Sequence, residues 1–449
     1  MSSETEFADY KEAGNHLWGD PARGTKGSFR LFNANVTTAN VIRRAIQTLT
    51  PSVGFRTEPY EKSDVHISIN NSPLVNDMLA HRVGMIPVCA DPTAFDPTLY
   101  EFRLDKTNDT KDMMDVTAAD IQVFVRNPEA PLEPMRLMEA LNAQFFPPDP
   151  ISGDTVLITR LRPQWNPTAP KEQLQFTATA SISTGKENSR YSPVSQVSYA
   201  YTLDTNPEHR KAVLEHWLRT QKKILIGEGL SEADRATAVE KKTLIWDDAM
   251  DAGKKDALLR EFETMEIQRC YRMDARGNPN DFTFHVESIG AQPVGMIVES
   301  GLVACEVLVS RYANLDKEIP ANVRIQQGDS RFPTMDIIFQ EEGHTLGNLL
   351  ETHLCEQNIE KADAELPLTY VAYKVPHPLR AEMFVRMGVA SKDVVDVETQ
   401  KRAARQAIAK ACQELRAQFV TLRSKWVGLL DPGRAASASA GVVESKGPE

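Results

Sequence analysis

Two stretches about 300 residues apart carry one signature, and each stands where an apolar, strand-like run gives way to a helix-like one. They are Thr37-Thr38-Ala39-Asn40-Val41-Ile42 and Thr345-Leu346-Gly347-Asn348-Leu349-Leu350. A chain that repeats a strand-then-helix unit can pair its two copies internally, so the first expectation is a tandem of related halves forming a pseudo-dimer. Ahead of the first signature, Phe29, Leu31 and Ala34 bracket polar Arg30 and Asn33. Ahead of the second, Met335, Ile337, Ile338 and Phe339 bracket Asp336. Both runs suit strands with one buried face. Beyond the signatures, Val41, Ile42, Ala45, Ile46 and Leu49, and then Leu346, Leu349, Leu350 and Leu354, each make one apolar stripe of helical period. Thr37 and Thr345 are candidate helix caps, because a hydroxyl there can accept a bond from an otherwise unpaired backbone N–H. The small residues Ala39 and Gly347 would let another backbone approach closely.

Length and charge bound the rest. A chain of 449 residues accommodates two or three domains. Its hydrophobic share of 41% and charged share of 25% are those of a soluble globular protein, and no run approaches the ~18 apolar residues of a membrane span. Met1 to Asn15 lacks the apolar core of a secretory signal, so an intracellular protein is expected. A net charge of −11 disfavours a surface built on phosphate contacts, so any nucleic acid should be held by a partner. The five cysteines are isolated, the closest two, Cys270 and Cys305, lying 35 positions apart. With no C-x-x-C element, reduced buried thiols are expected and no metal site.

The expected architecture is α+β. Residues 1–26 and 431–449 read as disordered tails. Residues 27–87 and 189–313 form the first unit, interrupted by a proline-rich, mostly β insertion at 88–188 and a charged helical insertion at about 207–274. Residues 331–430 form the second unit. Helical spacing predicts a buried helix over 293–312 and a long one beginning near Asp393, a candidate cap, and running through Ala404, Ile408, Ala411, Leu415, Phe419, Leu422 and Trp426. That long helix has more apolar face than one small sheet can cover, so it is expected to pack on the helix at 293–312.

A search for chemistry finds no phosphate loop, no H-E-x-x-H and no Asp cluster able to hold Mg²⁺. His344 at a helix start lacks an accompanying nucleophile or carboxylate pair, so a solvent-facing position is expected rather than a general base. No catalytic residue and no cofactor is assigned.

At this point two longer runs can be placed. Glu342-Gly343-His344-Thr345-Leu346-Gly347-Asn348-Leu349-Leu350, followed by Val371-Ala372-Tyr373-Lys374-Val375-Pro376-His377-Pro378-Leu379, closely resembles the small alpha-like assembly subunit of multisubunit RNA polymerases, called L in archaea and the eleventh subunit in polymerase II. The first half resembles its larger partner, archaeal D or the eukaryotic third-largest subunit. The supporting runs are Ala39-Asn40-Val41-Ile42-Arg43-Arg44, Ala80-His81-Arg82-Val83-Gly84-Met85-Ile86-Pro87, Tyr191-Ser192-Pro193-Val194 and Phe282-Thr283-Phe284-His285-Val286-Glu287-Ser288-Ile289-Gly290.

The resemblance implies a non-catalytic assembly scaffold, a D-like and an L-like dimerisation unit fused in one chain. Its partners would be the two largest, beta-like and beta-prime-like, polymerase subunits and small assembly subunits, with DNA and RNA reached only through the complex and no membrane. It implies subunit-interface roles for Asn40, Arg43, Arg44, His81, Arg82, Gly84, His344, Thr345, Gly347, Asn348 and His377, the last also a loop-shaping residue between two prolines. Such fusions are similar to those of large DNA viruses, so a viral source is expected, with virion or host cytoplasm as the compartment and the nucleus as the alternative. The chain departs from the family in reading Glu342-Gly343-His344 where a second carboxylate is usual, and in lacking a cysteine cluster in its insertion. The competing class is a regulator with the same fold that binds promoter DNA or an activator, against which the acidic charge counts. A hydrolase using His344 is the third.

Overall fold

The computed structural model describes residues 5–13, 24–129, 133–166, 168–241, 243–328, 333–389 and 396–430. The expected tail at 431–449 and the cap at Asp393 lie outside them. The framework strands and helices occur twice in one order. In the first half β1 (Glu6–Ala13), β2 (Lys26–Phe32), α1 (Val36–Thr48), β3 (Val194–Tyr201), β4 (Asp281–Ser288) and α2 (Val294–Ser310) follow one another, with insertions between α1 and β3 and between β3 and β4. In the second half β5 (Val323–Gln327), β6 (Met335–Gln340), α3 (His344–Leu354), β7 (Leu368–Lys374), β8 (Glu382–Val389) and α4 (Val397–Leu430) do the same. The strand orders correspond, β1-β2-β4-β3 and β5-β6-β8-β7. The fold class is α+β, as expected. The strand at Glu6–Ala13 corrects the expectation of a tail there: alternation of buried Phe7 with polar neighbours is too short to stand out, and pairing with a strand decides it.

Local geometry repeats as well. Asn33, one residue past β2, has φ 55°, and Glu341, one past β6, has φ 62°. In each half this left-handed residue turns the chain from strand into signature helix. The neighbouring strands carry a buried two-pronged ion pair in each half: Arg30 Nε and Nη2 donate to the two carboxylate oxygens of Asp281 at 2.8 and 2.7 Å, and Arg386 does so to Asp336 at 2.6 and 2.7 Å. Both aspartate side chains are only 4% exposed. The acid and base have exchanged strands between the halves.

The chain divides into two compact units, Met1–Ala8 with Arg30–Ala39 and Tyr199–Phe284, and Asp9–Phe29 with Asn40–Ser198 and His285–Glu449. In the first, helices at Pro207–Thr220 and Ala252–Glu261 close on a small core of Trp217, Leu218, Ile224, Ile226, Phe262 and Cys270, and a third helix follows Ile226 at Glu232–Glu240. Charged residues dominate the outer faces of these helices, which is why the sequence reads as highly charged there.

In the second unit, the insertion folds around a five-stranded sheet in the order Val65–Asn70, Gln173–Ala178, Tyr100–Thr107, Gln122–Val125, Arg136–Leu137. Its apolar core extends from Val53 to Ala180. The expected boundary at residue 88 is therefore too late: the strand Val65–Asn70 and the helix Asn76–Gly84 belong to the insertion, because Phe176 pairs with Ile67 across more than 100 residues of sequence. The second-half sheet is antiparallel, with Ile337 facing both Ile325 and Val385.

The helices at 293–312 and beyond 393 form as predicted, and α2 and α4 pack along each other. Trp426, fully buried, donates Nε1 to Gly295 O at 2.9 Å and meets Tyr10 and Phe29 edge-on, both at 4.9 Å between ring centres. At the other end Arg405 donates to the carbonyls of Leu315 and Asp316, both at 2.8 Å, and Gln413 to Ala313 O at 2.7 Å. These bonds satisfy carbonyls of the turn that follows α2 and tie that turn to α4. Helix α1 crosses α2 at Gly301, where a Cβ would lie 2.7 Å from Ile46 Cγ1, so only glycine permits the approach.

Candidate functional site

The two signatures meet. Arg44, one turn after Asn40, donates Nε to Thr345 Oγ1 at 2.7 Å. Thr345 is thus not the cap of α3. The residue before that helix is Gly343, with no side-chain cap, and the Thr345 hydroxyl serves a tertiary partner instead. Thr37 is not a cap either. Helix α1 starts at Val36, and Asn35 Oδ1 accepts from Thr38 N at 2.7 Å, taking the role the sequence suggested for the threonine.

A third segment secures this junction. The turn at Thr184-Gly185-Lys186, from the insertion, lies against the end of α1: Lys186 N donates to Thr48 O at 2.8 Å, and Lys186 Nζ donates to Glu341 O at 2.8 Å. Beside it, Tyr312 Oη donates to Glu342 Oε1 at 3.1 Å while accepting from Asn322 Nδ2 at 2.9 Å, and Arg311 reaches the same carboxylate at 3.4 Å. Burial, reinforced by the Glu342 charge, raises the Tyr312 hydroxyl well above the ordinary tyrosine value. Together α1, α2, this turn and the start of α3 enclose a cleft of about 1260 Å³.

The other candidate residues divide by burial. Gly347 is buried, and a Cβ there would collide with the Tyr373 ring, so its smallness serves internal packing. His344 is exposed, with Nδ1 3.3 Å from Tyr373 Oη. Arg43 donates Nε to Asn40 Oδ1 at 3.0 Å along its own helix and stays partly exposed. Asn348 is partly exposed on α3. Arg44, His344 and Thr345 line the cleft; Asn40, Arg43, Gly347 and Asn348 do not.

The remaining residues lie apart from the cleft. Arg82 donates to the carbonyls of Ile158 and Leu157 at 2.6 and 2.8 Å, fastening its helix to a strand of the insertion. Gly84 is buried where a Cβ would collide with Arg190. Each meets a partner distant in the chain, and Arg82 remains exposed. His81 is exposed on the same helix. His377 accepts from Leu379 N at 3.1 Å through Nδ1, shaping an exposed loop.

Lys186, Glu341 and Arg311 were missed by sequence reasoning. Glu341 had a signal, its place one residue after the strand, matching Asn33. Lys186 had none, since nothing local marks a turn that will meet residues 155 positions away.

No group of three or more His, Cys, Asp or Glu side chains able to hold a metal occurs among the described residues, and no described helix is long and apolar enough to cross a membrane. All five cysteines are free and four are buried.

Residues 334–425 match the model of the RNA polymerase Rpb3/Rpb11 dimerisation domain. Over 299 residues, 66% of this chain and 93% of the relative, the chain is 25% identical to DNA-directed RNA polymerase subunit Rpo3 of Methanopyrus kandleri. Over 304 residues, 66% of this chain and 85% of the relative, it is 24% identical to DNA-directed RNA polymerase II subunit RPB3 of Schizosaccharomyces pombe. It is 25% identical over 193 residues, 39% of this chain and 53% of the relative, to subunit RPAC1 of RNA polymerases I and III of Saccharomyces cerevisiae. The chain thus carries an Rpb3/Rpb11-type dimerisation domain and is homologous to the Rpo3 and RPB3 subunits of DNA-directed RNA polymerases.

Proposed function

We propose that this chain is a non-catalytic scaffold of a DNA-directed RNA polymerase, an internal heterodimer whose halves dock the two largest subunits. The observation that carries the reading is the repeated strand order, β1-β2-β4-β3 and β5-β6-β8-β7, with each half's last helix packed on the other's. Joining the halves replaces a bimolecular encounter with an intramolecular one at an effective concentration of ~mM, so one translation product suffices where two levels would have to match. Residues exposed near the signatures, Arg43 and Asn348 beside the cleft and His81 and His377 farther off, are the proposed docking contacts. Small assembly subunits join the complex, and DNA and RNA are reached only through it. The fusion is also the ground for proposing a large DNA virus as the source, acting in virion or host cytoplasm, with the nucleus as the alternative.

The test is co-expression with the two largest subunits from the same source, followed by native mass spectrometry. A complex with one copy of each and no separate L-type subunit is expected. A requirement for a separate L-type subunit, or pairing of two copies of this chain through α2 and α4, would overturn the reading.

A further inference from the structure

Helix α2 carries two charges in 17 residues, Glu299 and Glu306, and is apolar on nearly every side. A helix of that composition is normally covered all round. One stripe is covered, with Ile297, Leu302, Cys305 and Val309 fully buried. A second is not: Met296, Ser300, Val303, Ala304 and Val307 recur at helical spacing along the floor of the cleft, partly open, and Val307 is 41% exposed. From Met296 to Val307 this floor is about 16 Å long at ~1.5 Å per residue, about three turns of helix.

The walls define what can lie on it. Carboxylates of Glu12, Asp91, Glu299, Glu341 and Glu342 line the cleft, against the cations Arg44, Lys186 and Arg311. Arg311 pairs with Glu342, whereas Asp91, Glu299 and Glu341 make no ion pair among the described residues. An apolar floor with an excess of unpaired carboxylates on its rim matches an amphipathic helix whose apolar residues recur every three or four positions and whose flanks carry lysine or arginine.

We infer that this cleft receives a basic amphipathic helical segment of one of the two largest polymerase subunits, about three turns long, laid along α2. The assignment rests on the scaffold reading and adds to it a place and a chemistry for one partner. The groove lies beside the Arg44–Thr345 junction, so its shape exists only when the two halves are closed on each other, and the segment would recognise the closed form.

The test uses the full chain co-expressed with the two largest subunits. Val303→Arg places a cation on the groove floor; Val303→Leu keeps it apolar. The first should lower recovery of one large subunit at least tenfold while leaving the unfolding midpoint of the isolated chain unchanged, and the second should leave recovery intact. Because the arginine variant could also disturb α2, a photo-reactive benzoylphenylalanine at position 303 provides a second reading, expected to cross-link to a lysine- or arginine-flanked amphipathic helix of a large subunit. Normal recovery with Val303→Arg, or a cross-link to a segment lacking that pattern or to no partner, would overturn the groove assignment while the scaffold stands. Failure of the unaltered chain to recover either large subunit would overturn both.

Discussion

Arg44 and Thr345 hold the two signature helices together through one hydrogen bond of 2.7 Å, between the guanidinium Nε of the first half and the hydroxyl of the second. The residues are 301 positions apart, and the bond joins the same element of each half to its counterpart. Thr345→Val removes the acceptor at nearly constant volume and should cost about 1 kcal/mol, the usual net worth of such a bond. Arg44→Ala in the Thr345→Val background should then cost less than Arg44→Ala alone. Urea unfolding of the four chains measures the coupling; strict additivity would show that the contact contributes nothing.

Glu341 supports the same junction from a strained backbone. Its φ of 62° suits glycine or asparagine, whereas its carbonyl is held by Lys186 and its N–H by Ala381 O at 2.6 Å. Left-handed backbone costs an L-residue ~1–2 kcal/mol, partly offset in glycine by the greater freedom of its unfolded chain. Glu341→Gly should therefore be neutral or stabilising by a few tenths of a kcal/mol, and Glu341→Val destabilising by about 1–2 kcal/mol. Equal urea midpoints for the two variants would contradict this.

At Gly301 two effects oppose each other. Alanine gains ~1 kcal/mol of helix propensity, yet its Cβ would stand 2.7 Å from Ile46 Cγ1, and overpacking costs ~1–3 kcal/mol. The expected balance for Gly301→Ala is a loss of about 1 kcal/mol. Ile46→Ala should then be less damaging beside Ala at 301 than in the unaltered chain, a sign that thermal unfolding of the double variant reads directly.

The buried thiols predict an alkaline limit. Desolvation pushes Cys89 and Cys412 up to about 12 from an ordinary 9.0. The folded chain keeps these protons where the unfolded chain releases them. The contribution is complete below pH 9 and is lost as pH rises from 9 toward 12, at up to ~1.4 kcal/mol per pH unit for each thiol. Cys412→Ala should flatten this slope whatever it does to stability at neutral pH. In the native chain at neutral pH, Cys355, partly exposed, should react with an alkylating agent before the four buried thiols, as peptide mass mapping would show.

Much of the framework was legible because it rests on local periodicity. Apolar residues every three or four positions marked α1, α2, α3 and α4, and the repeated small-Asn pair marked where two of them begin. Length and apolar width were enough to anticipate that α4 packs on α2. The insertion boundary was not legible, since Val65–Asn70 is a strand of that domain only by virtue of pairing with Gln173–Ala178. Roles assigned from local chemistry fared worst. Thr345 offered a helix cap and became the acceptor of Arg44, and Arg82, read as a subunit contact, stays exposed while it also holds the carbonyls of Ile158 and Leu157.

By itself, the sequence determined the α+β class and the two long helices α2 and α4, because each follows from hydrophobic spacing within a few turns of chain. Only the tertiary structure decided that Lys186, Glu341, Arg44 and Thr345 share one junction and that a stripe of α2 lies open beside it. A side chain's hydrogen-bonding capacity is fixed by its type, but which donor or acceptor claims it depends on segments brought together from as far as 301 positions away.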